Sequence, residues 1–192
     1  MGEAIGRVTR CSTRGFVGAV RQLDPYTPIF GMLCKAEAQG GNSCVVGAIY
    51  DISIEDDPFA RHVASSERVN SEQIEDHIVN RQTPIEISAI AVGFIKDEQS
   101  FYTLPPQPPL TMAPIIPLTD VEVIAFTAEF KFIPTLLNIP NDELTAAVLH
   151  AAAQCRPESE QHSYLQAGGR ACARLLNEDF VRLETLIQSI KP

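Results

Sequence analysis

Between Gly6 and Asp57 the chain breaks into short apolar runs, GRVTRC, GFVGAV, PIFGMLCKAEA and SCVVGAIYDISIEDD, parted by turn residues. Apolar residues recur at alternate positions or in pairs, which is the pattern of strands, because successive strand side chains point to opposite faces. Val8, Phe16, Val17, Val20, Met32, Leu33, Val45, Val46 and Ile49 carry it, with Gly15, Gly31, Gly40-Gly41 and Gly47 at the corners. The fold expected is α+β: an N-terminal closed antiparallel β-barrel followed by a small C-terminal helical bundle.

Strands are expected near residues 3–10, 15–21, 30–38 and 43–54, with turns at Asp24–Pro28 and Gly40-Gly41-Asn42. Asn70 and Gln73 have capping-box spacing ahead of Ile74 and Ile78, so a short helix is expected near 71–80. IEISAIAVGFI (85–95) reads as a strand whose first half has one wet face and whose second half is apolar on both faces. Lys96–Gln99 should turn into a strand over 100–104. LPPQPPLTMAPIIP (104–117) should not form an internal strand, because proline cannot donate to a ladder; it is expected to run extended along the barrel's outside, its Leu104, Leu110, Met112, Ile115 and Ile116 packed inward. Val121, Val123 and Ala125 would then close the sheet.

From about residue 127 the period becomes helical, which divides the chain into a barrel domain (1–126) and a helical domain (127–192). Asn141 or Asp142 caps a helix bearing Leu144, Val148, Ala151 and Cys155 on one face and ending at Pro157. A second helical stretch begins near Glu158 and carries Leu165, Ala171, Cys172 and Leu175. Gly168-Gly169 within it costs roughly 2 kcal/mol relative to alanine, which implies close approach of a neighbouring helix, with Ala147 and Ala151–Ala153 expected opposite; a break into two helices is the alternative. In the last segment Leu176, Phe180, Leu183, Ile187 and Ile190 recur at steps of four and three.

The formal net charge of −9 opposes binding to phosphate backbones, so nucleic acid is not expected as a partner. Arg7, Arg10, Arg14 and Arg21 concentrate basic charge on the first strands, which reads as a solvated sheet face. Five cysteines without a CxxC pair fit free, buried thiols in a reducing compartment. With no signal-peptide pattern and no apolar stretch long enough to span a bilayer, a cytoplasmic location without membrane contact is expected.

GRVTRCSTRGFVGAV, PIFGMLCKA, CVVGAIYDISIEDDPF and ISAIAVGFIKDEQSFYTLPPQPPLTMAPIIPLTDVEVIAF, in this order over residues 3–126, resemble the HAS barrel, the β-barrel shared by HerA-type DNA-translocating ATPases and the N-terminal region of ATP synthase subunits. In that family the barrel precedes a RecA-like motor and helps pack subunits into a ring. Here no Gly-Lys pair exists from which a phosphate-binding loop could be built, and residues 127–192 are too few for a RecA-type core. The resemblance therefore implies an assembly role and no ATPase residues.

No catalytic, cofactor-binding or metal-binding set emerges from the spacing. His77 with Glu72, Glu75 and Asp76 reads as a solvated helix face; His150 and Cys155 fall on different helical faces. Glu55-Asp56-Asp57 lacks the alternation of a calcium loop, and Gly168-Gly169-Arg170 has no strand before it and so is no phosphate loop. The function expected is a non-catalytic β-barrel assembly or protein-interaction module, not an enzyme and without cofactors, with a protein partner or self-association through Leu176, Phe180, Leu183, Ile187 and Ile190. Two alternatives are a small ligand-binding or enzymatic barrel that gathers His62, Tyr50, Tyr102 and Arg61 in one cavity, and a regulator docking on a ring ATPase.

Overall fold

A computed structural model of the chain describes residues 3–20, 28–54, 85–139 and 141–191. The expected helix near 71–80, the acidic triplet Glu55–Asp57, Arg21, Arg61, His62, His77 and most of the Asp24–Pro28 turn lie outside these residues.

Among the described residues there are seven strands: β1 (Gly6–Ser12), β2 (Gly15–Val20), β3 (Leu33–Glu37), β4 (Cys44–Ile54), β5 (Ile85–Lys96), β6 (Gln99–Phe101) and β7 (Pro114–Pro117). All pairings are antiparallel. The hydrogen-bonded order runs β2-β1-β7-β3-β4-β5, and β2 pairs back onto β5, which closes a six-stranded barrel; β6 adds to the far end of β5. The long β5 makes closure geometrically feasible. Its residues 85–90 pair with β2 and its residues 94–96 with β6, while its other edge carries β4. Register shifts that skip Val92 in β5, Tyr50 in β4 and Thr9 in β1 bend the strands as closure demands.

The period-2 pattern sorts β5 as its sequence implies. Ile85, Ile87, Ala89 and Ala91 point into the barrel with Val8, Phe16, Ile49 and Ile115, whereas Val92 belongs to a second apolar cluster. The lumen is packed rather than hollow: a Cβ on Gly47 would stand 2.9 Å from Phe16 Cε1.

Two expectations about the end of the barrel are corrected. The proline-rich segment does supply an internal strand: β7 lies between β1 and β3, pairing Gly6 with Ile115 and Lys35 with Ile116. It is tolerated because the strand is four residues long and its prolines occupy both ends, leaving the donors and inward side chain of Ile115 in the middle. Upstream, the segment does pack on the barrel, Gln39 N donating to Pro108 O at 3.0 Å and Leu110 N to Glu37 O at 2.8 Å, yet Leu104, Leu110 and Met112 remain exposed.

Val121, Val123 and Ala125 close no sheet. They lie in helix α1 (Asp120–Phe126), started by a capping box in which Glu122 N donates to Thr119 Oγ1 and Thr119 N to Glu122 Oε2. Burial there follows helical spacing, with Val123 and Phe126 inside and Val121 77% exposed.

Four more helices follow: α2 (Ile133–Leu137), α3 (Asp142–Gln154), α4 (Glu158–Leu175) and α5 (Phe180–Ile190). Their apolar faces meet the outside of the barrel in one continuous cluster, where Leu33, Val46, Ala48 and Val92 lie with Phe126, Phe132, Leu136, Leu144 and Val148. The contact between strand and helix layers is close. At Gly31 a Cβ would stand 2.6 Å from Ala147 Cβ, and its φ of +85° is itself one that side chains avoid. Ala147 therefore faces the barrel, not the glycine pair of α4 as expected. That pair nevertheless marks close approach and α4 runs unbroken through it: a Cβ on Gly168 would come within 2.9 Å of Leu149 Cδ2. Among the described residues no helix is long and apolar enough to cross a membrane.

Candidate interaction surface

Helix α5 begins at Asp179, whose carboxylate accepts from Arg182 N at 3.1 Å. Arg182 then fixes the helix in place. Its Nε lies 2.8 Å from each Asp142 oxygen and its Nη2 donates to Leu137 O at 2.6 Å, so one guanidinium joins α5 to the start of α3 and the end of α2. Toward the other end, His150 Nε2 lies 3.0 Å from Ser189 O. Held at both ends against α3 and flanked by α4, the helix buries Leu186 and Ile190.

This packing distributes the five expected contact residues unequally. Leu176 and Ile190 lie in the core, Leu183 and Ile187 are half-buried, and Phe180 is 75% exposed. Leu186, outside the expected stripe, is fully buried, while Val181 is 79% exposed. The stripe placed the inward face about one position off, because α5 packs on two helices at once and the four-three spacing describes only one seam. Phe180 is the first residue of the helix. With Val181 it forms an exposed apolar corner directly after Glu178 and Asp179.

On the other half of α5 a groove of about 400 Å³ separates it from α4. Leu165, Gly169, Ala173, Ile187 and Ile190 form its floor and walls, and His162, Arg170 and Lys191 stand at its rim. The groove exists partly because Gly169 lacks a Cβ, which would stand 3.2 Å from Ile187 Cδ1. Sequence reading missed Val181 and this rim. The signal available was the bare juxtaposition Glu-Asp-Phe-Val at a helix start and the i, i+4 series 162, 166, 170 of polar residues along α4.

A second concavity, about 560 Å³, lies on the barrel beside the β1–β2 hairpin, where Arg10, Ser12, Arg14 and Tyr50 surround Val17 and Ile90. It collects two of the four arginines noted in the first strands; Arg7 instead donates to Met112 O at 2.9 Å. Tyr50 and Tyr102 are not brought together. Tyr50 lines this cleft, whereas the Tyr102 ring packs at a tilt against Phe126 and its hydroxyl donates to the Phe126 carbonyl at 2.8 Å.

The thiols are placed for packing. Burial pushes Cys34 up to about 12 and Cys172 up to about 11, and burial with a neighbouring Asp120 carboxylate pushes Cys155 to about 11, so all three stay protonated and poorly nucleophilic near neutral pH. Cys155 caps α3, away from His150, its Sγ donating to Ala151 O at 3.3 Å. His162 is exposed and lies 2.8 Å from Gln166 Nε2. Among the described residues no group of three His, Cys, Asp or Glu side chains is placed to hold a metal ion. A scan against protein-family models and a search of curated proteins each return no match.

Proposed function

We propose that this chain is a β-barrel assembly or protein-interaction module, similar to the HAS barrel, that makes its contacts through the α4–α5 helix pair. The observation that carries the reading is the exposed apolar corner of Phe180 and Val181, two adjacent large side chains left in water on a helix whose other apolar residues are buried or half-buried. The closed antiparallel barrel over the stretch that resembles the family supports the same reading. The test is light scattering together with affinity capture from the source cells, using the full chain and a Phe180→Asp/Val181→Asp variant. Association with a partner or a second copy that the variant loses is expected. A monomer that captures nothing overturns the proposal.

The cleft beside Tyr50 favours a second reading, a barrel that binds a small anionic ligand between Arg10 and Arg14. A metabolite screen by thermal shift checks it: a stabilising hit that Arg10→Gln and Arg14→Gln both abolish would establish it, and no hit at millimolar ligand would remove it.

A further inference from the structure

The apolar corner and the groove match each other in charge. The corner is acidic: Glu178 and Asp179 immediately precede Phe180 and Val181, all four exposed. The groove is basic: His162, Arg170 and Lys191 stand over an apolar floor, and no carboxylate lines it, in a chain whose net charge is −9. A positive rim on so acidic a protein selects for an apolar ligand with flanking carboxylates, and the chain itself presents one. The two features lie at opposite ends of α5, separated by about ten residues or ~15 Å of helix, so one molecule cannot insert its own corner into its own groove.

From this placement, and resting on the interaction reading above, we infer that the partner is a second copy of this chain, with Phe180 and Val181 of one molecule seated in the α4–α5 groove of the next. Because the two surfaces differ, the contact is heterologous and repeats head to tail, giving a ring if the rotation closes and an open run if it does not. Carboxylates Glu178 and Asp179 come to rest near Arg170 and Lys191, and Phe180 covers Ile187, Ile190 and the space over Gly169. Salt weakens the contact by screening these charges.

Sedimentation velocity of the full chain tests this from low micromolar to high micromolar concentration. The wild type is expected to exceed twice the monomer mass at the upper end and to fall back as sodium chloride is raised. Phe180→Asp removes the corner and leaves the groove; Ala173→Glu blocks the groove and leaves the corner. Each variant alone is expected to be monomeric, while an equimolar mixture forms a complex of two chains and no larger, because one intact corner meets one intact groove. Val181→Asp serves as a second corner variant should Phe180→Asp lose its native circular dichroism. A wild type that stays monomeric throughout, single variants that associate like wild type, or a mixture that remains monomeric each overturn the proposal. A monomeric wild type that still binds a fluorescent acidic amphipathic peptide, with the binding lost in Ala173→Glu, overturns self-docking while leaving the interaction reading standing; a monomer that binds neither peptide nor captured partner removes both.

Discussion

Arg156 shows how a single side chain ties the helices together without a carboxylate. It is buried, donates to Ala152 O and, at 3.0 Å, to Thr127 Oγ1, and its guanidinium carbon sits over the Tyr164 ring at 3.7 Å from the centroid. A planar guanidinium can stack and donate in several directions together, which an ammonium cannot. Arg156→Lys is therefore expected to destabilise the protein by about 1–2 kcal/mol, measured as a lowered urea midpoint; an unchanged midpoint contradicts this account. Glu122 gives a pH signature. Partial burial raises its pKa, but the hydrogen bond from Lys35 and those from Thr119 outweigh that and hold it below its ordinary 4.5. A depressed carboxylate contributes stability that is present above the unfolded pKa and is lost as pH falls through the folded one. Glu122→Gln should therefore be less stable than wild type at about pH 6, with the gap shrinking toward about pH 3. The pair is too exposed for the effect to be large. A gap that does not change with pH would show the carboxylate's charge to be irrelevant.

Among the elements, β7 is tightly enclosed. Ile115 fills the lumen from a strand of four residues, and a Cβ on Gly18 of β2 would come within 2.1 Å of its Cδ1 and 2.9 Å of Arg7 O. Gly18→Ala should cost about 1–3 kcal/mol through overpacking, and Ile115→Ala about 2–5 kcal/mol through the cavity it leaves. The double variant should lose less than the sum of the two, because the shortened side chain makes room for the added methyl. Chemical denaturation of the four proteins closes this cycle, and strict additivity would mean that the two side chains do not meet.

Across the whole molecule, barrel and helices share one apolar layer. Leu33, Val46, Ala48 and Val92 form the outer wall of the barrel and the floor on which α1, α2 and α3 rest. A fragment of residues 1–126 would turn that wall to water and leave Thr127, which is buried and bonded to Arg156, outside it. The fragment is expected to give a collapsed, poorly dispersed amide spectrum and to aggregate, whereas the full chain gives a dispersed one. A dispersed spectrum from the fragment would show that the barrel stands alone.

Local periodicity, taken by itself, was enough to place β1 to β6 but not β7, and gave the inward side of β5, the start of α4 after Pro157 and the turn at Gly40-Gly41, because alternation, caps and positive-φ glycines are properties of a few adjacent residues. It also sufficed for the two-part order of barrel then helices. Tertiary structure alone decided which partners those faces meet. Closure through β2 and β5 joins residues about seventy positions apart, and Val121 leaves the sheet because a capping box outcompetes a three-residue alternation. Pro114–Pro117 enters the barrel because its neighbours need only its central residues, and Ala147 turns to Gly31 because that glycine leaves space for a helix. On α5, packing against α3 and α4 together buried Leu186 and left Phe180 in water. A repeat in sequence reports that a face is apolar; only the surrounding chain sets how wide that face is and what covers it.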